Sequence, residues 1–220
     1  MKAAIIFDMD GTIFQTNRIL EASLRDAFHY LRDEGLWKGR TPIETYREMM
    51  GAPLSVVWST LLPDHSIQVR RQMNDVFHEQ LIGNIQKGNG ALYPNTEKLL
   101  GYLSDRGFPI FVASNGYPHY LQAIVESHSL GEWISTCYSI QEIQSEDKAD
   151  LIRQIKEDHN LSHGIVVGDR LSDFKGAEAN HFLSIGCAFD FSQDKELLQA
   201  DIVVDDLIEI KEYMEKLATE

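Results

Sequence analysis

The 220-residue chain contains few cysteines and no long apolar run, and both features restrict its class. Its two cysteines, Cys137 and Cys187, lie far apart in the sequence, so we expect two free thiols rather than a disulfide. Only five apolar residues separate Lys2 from Asp8, which is too short for a signal peptide, and no segment has the length of a membrane span. The sequence therefore predicts a soluble, cytoplasmic protein with no membrane partner.

Positive charge is also scarce. The chain has 20 Lys and Arg residues against 34 Asp and Glu residues, a formal net charge of -14 and a pI near 4.9. Such a chain repels polyanions, so nucleic acid is not an expected partner. A small anionic ligand is compatible with this charge, because a nearby lysine and a bound cation outweigh charges screened beyond about 8–10 Å.

Short apolar runs alternate with amphipathic stretches along most of the chain. The runs are Ala3–Phe7, Pro109–Ala113, Ile165–Val167, Leu183–Phe189 and Asp201–Val204. Strands that are apolar on both faces and alternate with helices are typical of a parallel sheet covered on both sides. The pattern predicts an α/β fold with a doubly wound parallel sheet.

One long segment, residues 16–87, shows helical patterns and no strand. Its residues Ile19, Leu20, Leu24 and Phe28 share one stripe at helical spacing. Within Thr41–Glu44 we predict an N-cap at Thr41, followed by Pro and a capping-box Glu, with that helix ending near Gly51. We therefore predict a core formed by residues 1–15 and 88–220, with an inserted α-helical domain at 16–87.

Polar residues that could take part in catalysis or ligand binding follow the predicted strands or begin a crossover helix. They are Asp8 and Asp10 in "DMDGT", Ser114 and Asn115 after the second run, Lys148, and Asp169 and Asp173 in "GDRLSD". In a parallel sheet the carboxyl ends of the strands share one edge, where ligands bind. Carboxylates that cluster there repel one another unless a cation neutralises them, and an all-oxygen ligand set suits Mg²⁺ better than Zn²⁺.

Each motif by itself also has an ordinary structural explanation. Asp-x-Asp-Gly occurs in turns, Lys148 could be a solvated lysine at a helix start, and Ser172 could be a helix cap. The string Asp8–Thr12, however, is expected by chance in only about one chain in a thousand of this length. The order of the motifs along the chain favours a functional site.

In these motifs and their order, the chain resembles the haloacid dehalogenase-like hydrolase superfamily over nearly its whole length. The insert at 16–87 resembles the C1-type helical cap of the phosphoglycolate phosphatase-like branch. The resemblance implies a Rossmann-like core and Mg²⁺-dependent transfer of a phosphoryl group through an aspartyl-phosphate. Phosphomonoester hydrolysis on a small phosphorylated metabolite is the expected reaction.

The resemblance also implies roles for the carboxylates. Asp8 would be the nucleophile and a Mg²⁺ ligand, while Asp10 would exchange protons with the leaving oxygen and water and ligate Mg²⁺ through its backbone carbonyl. Asp169 would be a further metal ligand. Asp173 could ligate the metal directly, act through water or orient Lys148, and the sequence leaves these alternatives open.

The remaining implied contacts concern the phosphoryl group and the leaving group. The Ser114 hydroxyl, the Asn115 N–H and the Lys148 ammonium would hold the phosphoryl oxygens. Substrate selectivity would come from the insert, where Arg47, Met50, Gly51 and Trp58 are candidate contacts; for Met50 and Trp58 we favour packing within the insert.

Three other activities are compatible with parts of this pattern. Dehalogenases of the superfamily lack a carboxylate at the position of Asp10, which argues against that reaction. Sugar phosphomutases of the β-type usually carry Glu where this chain has Gly168, which disfavours a mutase. A signalling module that accepts a phosphoryl group without turnover is a further alternative, although it needs neither Asp10 nor a helical insert.

Overall fold

The computed structural model describes residues 3–49, residue 52 and residues 54–217. The strands are β1 (Ala4–Phe7), β2 (Ile110–Ser114), β3 (Thr136–Ser139), β4 (Gly164–Gly168), β5 (Leu183–Cys187) and β6 (Ile202–Val204). The helices are α1 (Asn17–Asp33), α2 (Ile43–Glu48), α3 (Leu54–Leu61), α4 (Ile67–Gln86), α5 (Thr96–Asp105), α6 (Pro118–Ser127), α7 (Lys148–Asp158), α8 (Leu171–Ala179), α9 (Asp194–Leu197) and α10 (Ile208–Leu217).

The strands form one sheet in the order β3-β2-β1-β4-β5-β6, and all neighbours are parallel. Strand β1 lies inside the sheet, with Ile6 paired to Phe111 of β2 and to Val166 of β4. The chain proceeds from β1 to one side of the sheet and returns to the other side at β4. The predicted doubly wound α/β fold is confirmed, and its topological switch point lies between β1 and β4.

The apolar runs form the strands because both faces of the sheet are buried. All four residues of β1 and all five of both β2 and β4 are buried. On one face, Ala4 and Ile6 pack with Leu151 and Ile155 of α7 and with Ala177 of α8. Because successive side chains of a strand point to opposite faces, Ile5 and Phe7 of β1 belong to the other face.

The chain divides into two compact units. The first unit combines the residues up to Gln15 with those from Ala91 onward, and the second spans Thr16–Gly90. The described part of the second unit contains α1 to α4 and no strand, with α1 and α4 packed together. The predicted insert ends at 87, whereas this unit continues to Gly90. Among the residues that the structure describes, no helix is both long and apolar enough to cross a bilayer.

One predicted helix start is wrong, and one structural alternative for a helix cap is excluded. Helix α2 begins at Ile43 with Pro42 at the N-cap, because the Thr41 hydroxyl accepts a hydrogen bond from Arg32 Nη2 at 2.8 Å instead of capping the helix. Ser172 is inside α8 and is not its cap, since that helix begins at Leu171. The predicted end of α2 at Gly51 lies outside the described residues.

Candidate active site

Three carboxylates converge at the carboxyl edge of the sheet. Asp8 follows β1, and its N–H donates to the carbonyl oxygen of Val167 in β4 at 2.8 Å, which continues the pairing of the two strands. Asp169 follows β4, and Asp173 lies in the first turn of α8. One carboxylate oxygen from each of Asp8, Asp169 and Asp173 lies within 4.8 Å of those of the others, and all three residues are buried. We refer to these three residues as the acidic cluster.

The loop after β1 is folded against Asp169. The carbonyl oxygen of Met9 accepts hydrogen bonds from the N–H groups of Ile13 and Phe14, which closes a tight turn. Gly11 adopts a φ of +81°, and a Cβ at this position would lie 2.6 Å from Asp169 Oδ2. The buried hydroxyl of Thr12 donates to Asp169 Oδ1 at 3.3 Å. The glycine of the "DMDGT" motif therefore leaves room for the carboxylate of Asp169, and the threonine donates a hydrogen bond to it.

Lys148 is buried at the start of α7, although a solvated lysine was an alternative from the sequence. The Asp147 side chain caps this helix by accepting from the N–H of Ala149 at 2.9 Å. Lys148 Nζ lies 2.5 Å from Asp8 Oδ1 and also pairs with Asp173 Oδ1, and the lysine is 5% exposed. Lys148 thus bridges two members of the acidic cluster, which supports a role for Asp173 in orienting it.

The backbone next to Asp173 leaves room for this arrangement. A Cβ at Gly168, the last residue of β4, would lie 2.2 Å from Asp173 Cγ. The N–H of Arg170 donates to Asp173 Oδ2 at 3.1 Å, so the carboxylate folds back over the end of the strand. Glu196 holds the same turn from outside, because its carboxylate accepts from Arg170 Nε at 3.0 Å and from the N–H of Leu171 at 2.9 Å.

The acidic cluster has an excess of negative charge, since three carboxylates face one ammonium. Burial raises the pKa of Asp8 to about 7, although the charge of Lys148 acts in the opposite direction. Burial, and then the charges of Asp8 and Asp173, raise the pKa of Asp169 well above its usual value. Burial lowers the pKa of the Lys148 ammonium, but the negative charges of Asp173 and Asp8 have the larger effect and raise this pKa.

This cluster fits a divalent cation. Oxygen atoms from three buried carboxylates lie close enough together to share one ion, and a hard cation prefers such ligands. A bound cation also compensates the uncompensated negative charge that burial makes costly. The donor set and its charge are therefore suited to a hard divalent cation, with Asp8, Asp169 and Asp173 as the side chains that would hold it.

Ser114 and Asn115 lie at the same edge of the sheet, at the end of β2. Strand β2 is adjacent to β1, with Val112 opposite Phe7. The buried Ser114 Oγ accepts a hydrogen bond from the N–H of Gly116 at 3.0 Å, which leaves its own proton for another acceptor. The side-chain oxygen of Asn115 is buried and has no hydrogen-bond partner among the described residues. Both residues can therefore offer polar atoms to a ligand at this edge.

Asp10 differs from the acidic cluster in its surroundings. It is half-buried, and the hydroxyl of Tyr120 in α6 donates to Asp10 Oδ1 at 2.5 Å. The sequence did not predict Tyr120, because nothing in the local pattern of α6 indicates a contact with the loop after β1. A signal was available only in its position shortly after Ser114 and Asn115.

The candidate residues in the helical insert have local partners. Trp58 is 2% exposed, packs edge-on against Phe77 and donates from Nε1 to Asn74 Oδ1 at 2.8 Å, as expected for packing within the insert. Arg47 forms ion pairs with Glu21 and Glu44. Met50 and Gly51 lie outside the described residues.

Comparisons with known proteins agree with the motifs. The family model for haloacid dehalogenase-like hydrolases matches residues 2–181. Phosphoglycolate phosphatase of Escherichia coli K12 is 20% identical over 225 residues, covering 90% of this chain and 87% of that protein. Pyrophosphatase PpaX of Bacillus pumilus is 22% identical over 202 residues, covering 89% of this chain and 87% of that protein.

A solved structure shares the fold over nearly the whole chain. The structure of a predicted phosphoglycolate phosphatase from Haemophilus somnus 129pt superimposes with a TM-score of 0.83 at 18% identity, covering 96% of this chain and 97% of that one. At this identity the likeness shows the fold, whereas the family match spans most of the sequence. The resemblance predicted from the motifs is confirmed at the level of the family: this chain belongs to the haloacid dehalogenase-like hydrolases.

Proposed function

We propose that the protein is a Mg²⁺-dependent phosphatase that hydrolyses a small phosphomonoester through an aspartyl-phosphate on Asp8. The observation that carries the proposal is the placement of Asp8 between the Lys148 ammonium and the carboxylates of Asp169 and Asp173. Phosphatases among the relatives of this chain support the reaction class. The substrate is expected to be a small phosphorylated metabolite.

The reaction has two halves, which share the same carboxylates. In the first, an oxygen of Asp8 bonds to phosphorus as the bond to the leaving oxygen breaks, and Asp10 gives its proton to that oxygen. In the second, water attacks the phosphorus and the bond to Asp8 breaks. Asp10 takes a proton from this water, which releases inorganic phosphate and restores both side chains.

The other residues stabilise charge during both halves. Ser114, the N–H of Asn115 and Lys148 are assigned to the phosphoryl oxygens, where charge develops and where fixed donors act most strongly. A pairing of Lys148 with Asp173 keeps the ammonium in place and charged while Asp8 reacts. Much of the rate would come from this positioning.

The acidic cluster is assigned to the metal, together with the backbone carbonyl of Asp10. Bound there, Mg²⁺ would keep Asp8 ionised and neutralise the phosphoryl group. Thr12 contributes by its hydrogen bond to the carboxylate of Asp169, and Gly11 contributes by leaving room for that carboxylate. The helical unit Thr16–Gly90 is the expected source of selectivity for the leaving group, because the assigned core residues serve the phosphoryl group and the metal.

The structure favours hydrolysis over mutase activity at one position. β-type phosphomutases usually carry Glu where this chain has Gly168, and a Cβ at Gly168 would collide with Asp173. A larger residue at this position would displace the carboxylate that pairs with Lys148. The present arrangement of Asp173 and Lys148 therefore depends on glycine.

The proposal is tested by phosphate release from 4-nitrophenyl phosphate with Mg²⁺, compared between the wild type and Asp8→Asn. We expect loss of activity in the variant and in EDTA, and restoration of the wild type when Mg²⁺ is returned. Asp205→Asn removes an exposed carboxylate after β6 and serves as the matched control with unchanged activity. Wild-type rates in Asp8→Asn would disprove the assignment of the nucleophile. A long-lived phosphoryl group on the wild-type protein without turnover would favour the signalling alternative.

A further inference from the structure

The hydroxyl of Tyr120 connects α6 to the loop that carries Asp10. Helix α6 has Tyr117 at its N-cap and Pro118 at its first position, so Tyr120 lies in the first turn. Its side chain is buried, with the residue 3% exposed, and its hydroxyl donates to Asp10 Oδ1. A buried phenol therefore occupies one oxygen of the carboxyl group that is proposed to transfer protons.

We propose that Tyr120 is a positioning residue that fixes the rotation of the Asp10 carboxyl group, so that Oδ2 is the atom that gives and takes the proton. This inference rests on the proposed function. The terminal torsion of an aspartate has a broad, two-fold preference, and a single strong donor is sufficient to hold it. Loss of the hydroxyl would remove the donor to Oδ1 and would leave the half-buried carboxyl group less restricted in its rotation.

The direction of the hydrogen bond suits both halves of the reaction. A phenol remains protonated at neutral pH and donates its proton. Oδ1 can accept this bond when Asp10 is ionised, and it can still accept it when Asp10 carries a proton on Oδ2. The same contact therefore persists while Oδ2 donates its proton to the leaving oxygen and later removes a proton from water.

The tyrosine ring is held by the loop that also carries Ser114. A Cβ at Gly116 would lie 2.9 Å from Tyr120 Cδ1 and 3.3 Å from Ser114 Oγ, so any larger residue there would press on both. The carbonyl oxygen of Gly116 accepts a hydrogen bond from Ser139 Oγ at 2.6 Å, which anchors this loop to β3. The sheet thus positions the proposed phosphate contact and the proposed support of Asp10 through one turn, which is anchored to β3.

Tyr120→Phe tests the inference, because it removes the hydroxyl and keeps the ring. The probes are 4-nitrophenyl phosphate, whose leaving group needs little protonation, and phenyl phosphate, whose leaving group needs much more. We expect kcat/KM to fall roughly 10-fold or more for phenyl phosphate, a part of the ~10²–10⁴-fold effect of a positioned acid. For 4-nitrophenyl phosphate we expect a fall of less than about 3-fold, because proton donation matters little there.

The second half-reaction gives an independent signature. Removal of the water proton also uses Oδ2, so with 4-nitrophenyl phosphate Tyr120→Phe should lower kcat and KM together, with kcat/KM almost unchanged. Phosphorylated protein should accumulate and be seen by intact mass. Tyr102→Phe is the matched control, since its hydroxyl contacts Glu215 on α10, and it should leave both substrates unaffected. The melting temperatures of both variants show whether folding is intact.

Crystal structures of the wild type and Tyr120→Phe with Mg²⁺ supply a readout that does not depend on turnover. A rotated or split Asp10 carboxyl group in the variant supports the inference, and an unchanged orientation overturns it. Equal losses of kcat/KM for both esters, or no loss of kcat/KM for either, in an active enzyme would also overturn it and leave the proposed function intact. A wild-type protein inactive on both esters would overturn the proposed function and this inference together.

Discussion

Replacement of Lys148 with Met should expose the electrostatic cost of the acidic cluster. The substitution keeps most of the volume of the side chain but removes an ammonium that pairs with both Asp8 and Asp173. Breaking a buried ion pair by removing one partner costs about 3–5 kcal/mol. Since the pKa of Asp8 is already near 7, this carboxyl group can take up a proton at little cost, so we expect the lower end of that range.

The assay is urea unfolding at neutral pH in EDTA, so that no cation replaces the lost charge. Lys156→Met is the matched control on the same helix; its ammonium donates to the carbonyl oxygen of Asn180 at 2.8 Å, and its loss should cost about 1 kcal/mol. In an Asp8→Asn background, Lys148→Met should lower the free energy of unfolding by less than it does in the wild type. The difference should be about 1 kcal/mol or more, because only one carboxylate partner of Lys148 remains. A free energy of unfolding for Lys148→Met within about 0.5 kcal/mol of the wild type would refute this electrostatic reasoning.

Two further substitutions test the backbone around the site. Gly11→Ala should lower stability by more than Gly107→Ala. Both positions have a positive φ, which costs an alanine about 1–2 kcal/mol, but only the Cβ at Gly11 would meet Asp169. Equal losses of stability in thermal unfolding would contradict this prediction. Glu196→Gln should lower the free energy of unfolding by about 1 kcal/mol at pH 7. Burial raises the pKa of Glu196, but the hydrogen bonds from Arg170 and from the N–H of Leu171 have the larger effect and lower this pKa. A carboxyl group whose pKa is lowered by folding stabilises the folded protein at pH values above its ordinary pKa, near 4.5. The difference in the free energy of unfolding between the wild type and Glu196→Gln should therefore shrink as the pH falls below 4.5. A difference that stays constant down to about pH 3 would contradict this prediction.

The sequence predicted the sheet well where strands are buried on both faces. Strands β1, β2 and β4 are continuous apolar runs, and parallel pairing then brings the residues after them to one edge. Strand β3, Thr136–Ser139, was missed because it lies at the edge of the sheet, where Thr136 is exposed and the next two residues are only half-buried. The available signal was the regular alternation of strands and helices, which requires a strand between α6 and α7.

The approach of the predicted carboxylates to one another could be predicted from the sequence, but their contacts with other side chains could not. Asp8 and Asp169 directly follow the neighbouring strands β1 and β4, so the topology of the sheet brings them together. That Lys148 pairs with Asp8 as well as Asp173 depends on the path of the loop before α7, and the sequence does not reveal this path. The contact between Tyr120 and Asp10 joins residues 110 positions apart, and it depends on how α6 leaves β2.

The most direct test of the proposed chemistry is to trap a phosphoryl group on Asp8. Asp10→Asn should still react with 4-nitrophenyl phosphate and Mg²⁺, because this leaving group needs little protonation, but it should be slow to activate water. Intact mass followed by peptide mapping is expected to find the phosphoryl group on the peptide that contains Asp8. An unmodified Asp8 peptide, or a phosphoryl group on another residue, while the wild type hydrolyses the same ester, would contradict the aspartyl-phosphate mechanism.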